Sequence, residues 1–253
     1  KNDAACKDKA DTLRAISTWD GVPDEAFDGI VRLGVVIDKL VDEYAMDAIA
    51  LRCWIELQQQ IHISPCVLLG EMNDRGIPAA CEVDVGNAVA MFALSRASDG
   101  PPSCLDWNNN YADDDDKCIL FHCGPVPPSL MTCKGRISDH DILANAVGKG
   151  SGYGCNVGRI APAPFTFGSM TTDAGRLKFY LGQGTFTSDP IPEDFFGCAG
   201  VAHIEHLQDV LLHVGRHGYR HHVSVVPGVV HDSVREAFVR YLGYDVVLPQ
   251  QRP

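Results

Sequence analysis

The sequence predicts a small α/β unit with parallel strands, followed by an antiparallel, barrel-like β domain. Up to about residue 98, amphipathic helical text alternates with short apolar runs, the βαβ rhythm that yields parallel strands. After DGPPS (99–103) the text turns to β-branched and aromatic runs bounded by Gly, Pro and Asp, as in antiparallel sheets. The third observation is Glu82 in AACEVDVGNAVAMFAL (79–94). Alternation makes 80–85 read as a strand, so a carboxylate stands at a strand end just before a Gly-Asn turn. That is where α/β proteins place ligand and metal groups. Burial there costs several kcal/mol unless the charge is paired or coordinates a metal.

The elements follow in order. Residues 24–46 carry Phe27, Ile30, Ile37, Leu40, Val41 and Tyr44 at helical spacing, with Asp24 as N-cap. AIALRCW (48–54) reads as a buried strand, SPCVLLGEMNDRG (64–76) as a short helix, 80–85 as the Glu82 strand, and Asn87 to about Ala97 as a helix. Strands are expected in SCLDWN (103–108), KCILFHCG (117–124), NVGRIAPAPFTFGSM (156–170) and GRLKFYLGQG (175–184). A helix at about 200–216, the strand HHVSVV (221–226), a helix over 231–242 stopped by Gly243 and a last strand, YDVVLP (244–249), complete the chain. The expected division is a partial, Rossmann-like α/β domain over 1–100 and a C-terminal β-barrel domain over 101–253 that holds the two helices.

Composition narrows the partners. The net charge is −12 over 253 residues and the basic residues are scattered, which argues against nucleic acid and an anionic membrane surface. No apolar run approaches the roughly 18–20 residues of a membrane span. The ten cysteines include no C-x-x-C pair, so a thiolate zinc site lacks its usual spacing. They read as reduced, buried cysteines of a cytoplasmic protein. The chain opens on Lys1, and KNDAACKDKADTLRAI (1–16) reads as the tail of one element and the body of another, as in a chain lacking an N-terminal region. DDDDK (113–117) reads as an acidic turn and GKGSGYG (148–154) as a mobile loop, because neither has the spacing of a calcium loop or a P-loop.

Partners for Glu82 are sought among ionisable residues that interrupt β text: Asp106 in SCLDWNNNY, His122 in CILFHCG, and His221 and His222 in YRHHVSVV. Singly, each has a structural explanation. Together they make two carboxylates and one or two imidazoles, a donor set that suits Mn²⁺ better than a thiolate zinc site. HIEH (203–206) is a rival, with His203 and His206 at i, i+3 on the expected helix, and His213 and His217 further along a solvated stripe.

GEMNDRGIPAACEVDVGNAVAMFAL, LDWNNNY, DKCILFHCG and RHHVSVV resemble the L-fucose and L-arabinose isomerase family. The resemblance covers the family's middle and C-terminal regions and implies an oligomeric enzyme that interconverts an aldose and a ketose through an enediol on Mn²⁺ or another divalent metal. In the fucose branch a glutamate, an aspartate and a histidine bind the metal, and the first two stand at the 24-residue interval of Glu82 and Asp106. The resemblance thus implies Glu82 and Asp106 as ligands and as acid and base. His222 is the third ligand, with His221 as its alternate. His122, at an interval similar to one in the arabinose branch, is a further ligand or a group behind the ligands. Trp107, Asn108 and Asn109 are candidates for sugar contacts, although Trp107 equally suits a core. Family members carry an N-terminal domain that helps form the pocket and has no counterpart here. The second reading is therefore a catalytically inert sugar-binding or assembly fragment. A metal-dependent hydrolase is a third, without a motif to support it. The sugar is left open.

Overall fold

The protein is described by a computed structural model over residues 3–251. Helices α1 (Asp3–Ile16), α2 (Asp24–Glu43), α3 (Glu56–Ile61), α4 (Cys66–Asp74) and α5 (Val85–Ser98) are interleaved with three two-residue strands. These are β1 (Ser17–Thr18), β2 (Ile49–Ala50) and β3 (Ala79–Ala80). Then come β4 (Ser103–Tyr111), β5 (Asp114–His122), β6 (Gly135–Ser138), α6 (Ala144–Val147), β7 (Cys155–Arg159), β8 (Ala163–Asp173) and β9 (Arg176–Phe186). The chain ends with β10 (Cys198–His203), α7 (Leu207–Arg216), β11 (His222–Pro227), α8 (His231–Glu236) and β12 (Asp245–Val247). No helix among the described residues is long and apolar enough to cross a membrane.

The broad α/β plus β architecture is as expected. In the first part, β2 and β3 pair in parallel. The buried face of α2 carries Phe27, Ile30, Val31, Ile37 and Val41. It packs with Leu13 of α1, Leu68, Leu69 and Met72 of α4, and Cys123, Ile137 and Cys155 from later segments. Leu40 and Tyr44 lie outside this face and are exposed. Asp24 is in the first turn of α2 rather than at the cap, where Pro23 stands. There its charge complements the helix dipole.

The strands expected over 48–54 and 80–85 shrink to β2 and β3. Glu82 lies on a turn, with φ +58 for both Glu82 and Val83. Left-handed backbone at two successive residues cannot continue a pleated strand. Helix α5 begins immediately afterwards, at Val85, with Asp84 as its N-cap accepting the Asn87 N–H at 3.0 Å. The alternation of CEVDV is thus a turn and a cap, not a strand.

Ten strands form one mixed sheet in the order β1-β6-β7-β10-β5-β4-β11-β8-β9-β12. The six from β10 to β9 in that order pair antiparallel. Its longest ladder, β8 with β9, runs from Ala163–Phe186 to Asp173–Arg176 and is joined by a two-residue Ala174-Gly175 turn with both φ positive, as tight hairpins require. The outer edge of β10 is shared: Cys198 and Ala199 pair with β7, while Ala202 and His203 pair with β9. The strand that would seal a barrel is splayed between two neighbours. The result is a curled, mixed sheet rather than the closed barrel that the sequence suggests.

Several local expectations change with it. The helix placed at 200–216 starts at Leu207, because 198–203 is strand β10. His203 therefore ends a strand and His206 sits at φ +57 before the helix, so they do not share a helical face. His213 packs on Tyr219 and Tyr180 instead of lying in a solvated stripe. Of DDDDK only Asp113 is in the turn; the rest begins β5, where the Asp116 carboxylate accepts the Leu207 N–H at 3.1 Å and caps α7. In the glycine loop, the amides of Gly150 and Gly152 are taken by the Asp139 carboxylate at 2.6 and 2.9 Å.

Candidate functional site

The site forms where the turn at the head of α5 meets the ends of three neighbouring strands. In the β4–β11 register Asp106 stands opposite His222, and Phe121, one residue before His122, stands opposite Asp106 on its other side. Side chains alternate across a strand, so Asp106 shares a face with Cys104. That face looks toward α5, where Cys104 packs with Ala80, Ala88 and Met91. Glu82 reaches in from the turn above them.

The ionisable groups converge. His222 Nε2 lies 3.8 Å from Glu82 Oε2 and 3.5 Å from Asp106 Oδ1. His221 Nε2 is 3.5 Å and His122 Nε2 3.9 Å from the same Asp106 oxygen. These separations exceed hydrogen bonds. Asp106 Oδ1, His122 Nε2 and His222 Nε2 are all buried without a hydrogen-bond partner. A buried orphan costs about 1–3 kcal/mol, so three aimed at one point mark a place for something else. Donor atoms of Glu82, His122 and His222, and likewise of Asp106, His221 and His222, lie within 4.8 Å of one another. The donors fit a divalent ion with oxygen and imidazole ligands.

His222 is held by a residue that the sequence reading passed over. Its Nδ1 donates to Asp84 Oδ2 at 2.9 Å, which leaves the Nε2 lone pair facing Glu82 and Asp106. The same carboxylate receives Asn87 Nδ2 at 2.7 Å, and Asn87 in turn accepts from Ser224 Oγ at 2.7 Å. Arg220 Nε stands 3.7 Å from Asp84. Burial acts against the charged carboxylate, but the hydrogen bonds from His222 and Asn87 outweigh it and take Asp84 down to about 2. The signal was Asp84-Val-Gly-Asn87, an Asx cap at a helix start.

His122 is oriented the other way. Its Nδ1 accepts the Cys123 amide at 2.8 Å, so the neutral ring carries its proton on Nε2, toward the site. Burial, with His222 and His221 next, holds its pKa well below the usual range and keeps it neutral. Asp106 is raised to about 7, first by burial and further by the Glu82 charge, against the pull of His222. His222 is raised: burial opposes its charge, but Asp84, Asp106 and Glu82 prevail.

Trp107 does not join the cluster. It points to the opposite face of β4, its Nε1 donating to Tyr180 Oη at 3.1 Å and its ring packed edge-on against Phe167. Asn108 and Asn109 fall where the β4–β5 register shifts. The side chain of Asn109 lies outside the described residues.

An expected result checks the Asp84 contact. Asp84→Asn removes the negative charge that holds the His222 proton on Nδ1 and replaces the carboxylate acceptor by a weaker, neutral one. Divalent-ion affinity is expected to fall about 10–100-fold. The acid-side stability carried by the lowered Asp84 pKa, about 2 kcal/mol, is present above the unfolded value and lost as pH falls through about 2; the variant lacks it. Titration calorimetry with Mn²⁺ and urea unfolding measure both. An unchanged Mn²⁺ affinity removes Asp84 from the site.

The ends of three neighbouring strands, gathering carboxylates and imidazoles over a helix N-terminus, define an α/β plus β protein with a group of possible metal-binding residues. The chain belongs to the family of the L-fucose isomerase C-terminal domain, whose model matches residues 120–249, just over half of it. His122, His221 and His222 lie inside that match; Glu82, Asp84 and Asp106 precede it. The chain is similar to sulfoquinovose isomerases. That of Clostridium sp. (strain MSTE9) is 25% identical over 239 residues, covering 91% of this chain and 50% of the relative. That of Priestia megaterium (strain ATCC 12872 / QMB1551) is 22% identical over 214 residues, covering 84% and 46%. The Alkalicoccus urumqiensis protein is 22% identical over 199 residues, covering 78% and 43%. The chain thus spans about half the length of the curated relatives it matches.

Proposed function

We infer that this chain carries the catalytic half of a metal-dependent aldose–ketose isomerase. The observation that supports it most is the set of buried, unpartnered atoms on Asp106, His122 and His222 beside Glu82. Glu82, Asp106 and His222 would hold the ion, of the Mn²⁺ class. When bound, the ion would supply a Lewis acid that polarises the sugar carbonyl and offsets the negative charge that develops as a proton leaves the neighbouring carbon.

The protein groups do the rest. Isomerisation takes a proton from one carbon and returns it to its neighbour, with a second proton moved between the oxygens. Glu82 and Asp106 flank His222 and take the base and acid roles. His222 adds no negative charge, and Asp84 fixes its tautomer. His122 presents an N–H to a sugar oxygen, a donor role that its hydrogen bond from the Cys123 amide favours over that of a fourth ligand. The site opens to solvent on the side of Glu82 and His221, whose side chains are 32% and 61% exposed. A sugar would enter there.

The substrate class is an aldose, with sulfoquinovose, for which the relatives are named, as the first to test and L-fucose as the second. The experiment is aldose–ketose conversion followed by NMR, with Mn²⁺, for this chain alone and extended at its N-terminus to the length of the relatives. Conversion in either form, abolished by chelator, is expected. Sugar binding without conversion in both supports the inert sugar-binding reading instead.

A further inference from the structure

Directly behind His122 lies a second group of donors that the isomerase site does not use. Cys66, the first residue of α4, Cys123, just after β5, and Cys155, the first residue of β7, come from segments far apart in the chain. Cys66 Sγ lies 3.2 Å from Cys123 Sγ and 4.0 Å from Cys155 Sγ. His140, in the loop after β6, joins them, and the donor atoms of Cys66, Cys123 and His140 all fall within 4.8 Å of one another.

Three observations separate this group from an ordinary thiol core. His140 is 2% exposed, yet neither of its ring nitrogens has a hydrogen-bond partner. An imidazole buried with both nitrogens bare is costly, and thiol neighbours are poor donors and acceptors. Second, two thiolates on one tetrahedral ion with metal–sulfur bonds of about 2.3 Å stand about 3.8 Å apart, a value that the two measured sulfur separations bracket. Third, the backbones are built in close. Gly124 and Gly154, beside Cys123 and Cys155, have φ of +134 and +132, and a Cβ on either would meet Asn156 N at 2.4 Å or Ser64 O at 1.9 Å. Cys81, His122 and Cys123 form an overlapping group, but His122 Nδ1 is already engaged by the Cys123 amide.

We propose that Cys66, Cys123 and His140 form the core of a second metal site for a thiophilic divalent ion of the zinc class, with Cys155, 4.0 Å from Cys66, as the fourth donor that closes it on binding. Its soft donors are unlike the carboxylate–imidazole set next door, so the two sites select different ions. Binding displaces the thiol protons to solvent and leaves the sulfurs as thiolates, with no change of oxidation state. The ion ties α4, the end of β5, the start of β7 and the loop after β6 together. It therefore braces the strand end that carries His122. The absence of C-x-x-C spacing does not exclude such a site, because that rule sees only donors close in sequence.

The full chain, produced in zinc-supplemented medium and dialysed against EDTA, is expected to retain one zinc per chain by mass spectrometry of metals. Replacement by Co²⁺ is expected to give an intense sulfur-to-cobalt charge-transfer band. Cys155→Ser and Cys66→Ser should lose the retained zinc and the band, whereas Glu82→Gln should keep both. Three results overturn the site: wild-type protein without stoichiometric zinc or a cobalt charge-transfer band, a Cys66–Cys123 disulfide in the native protein, or zinc that departs in Glu82→Gln. The wild-type measurements decide the matter even where a variant fails to fold.

Discussion

Glu82→Gln and Asp106→Asn are each expected to lower metal-dependent isomerisation by about 10³-fold or more while leaving the fold intact. Each substitution keeps volume and shape and removes one negative charge and one proton-transfer group. A positioned acid or base contributes roughly 10²–10⁴-fold. The same change takes a charged oxygen from the ion, so the two losses compound. The fold is spared because neither carboxylate secures it: Asp106 Oδ1 has no hydrogen-bond partner, and Glu82 is partly exposed on a turn. Turnover and Mn²⁺ affinity, measured on the form that shows conversion, separate the roles. Near-normal turnover in either variant, with circular dichroism unchanged, removes that residue from the mechanism.

The second large effect is on stability. Asp106 is raised from 3.8 to about 7 in the folded protein. Between those values the native state holds a proton that the unfolded state has released. The stability linked to that proton is fully present below the unfolded value and lost as pH rises through about 7. The difference is about 4 kcal/mol. His222, also raised, has the same sign: its contribution is present below 6.5 and fades above its folded value. The metal-free protein is therefore expected to lose thermal stability from pH 5 to pH 8. A divalent ion replaces those protons and should restore it, so the rise in Tm on adding Mn²⁺ should be larger at pH 8 than at pH 5. Melting curves in EDTA and in Mn²⁺ at the two values measure it. An equal or larger rise at pH 5 refutes a site built around Asp106 and His222.

Much of this site was legible in residue type and context, and the geometry was not. Glu82, Asp106 and His222 stand out as ionisable residues in apolar text, and the structure places each of the two carboxylates within 4 Å of His222. The choice between His221 and His222 depends on strand register. His222 faces Asp84 and Asp106 from inside, while His221 is largely exposed. Asp84 was hidden because CEVDV alternates like a strand, and a two-residue left-handed turn has no signature in non-glycine residues. The curl of the sheet was out of reach for a different reason: β10 divides its edge between β7 and β9, a long-range matter that local propensity does not encode. Likewise Cys66, Cys123 and Cys155 are neighbours only after folding.

The turn that carries Glu82 has a wider consequence. Left-handed backbone at Glu82 and Val83 costs about 1–2 kcal/mol per residue, more for a β-branched side chain. It is held by Val83 N–H to Leu51 O at 3.2 Å and Asp84 N–H to Cys81 O at 3.0 Å. Leu51 follows β2, so the small parallel pair acts as a spring clip: it keeps a reluctant loop cocked with its carboxylate already facing inward. Little chain entropy is then left to lose when an ion or sugar arrives. A slackened β2–β3 pair would release Glu82 without touching a single group at the site.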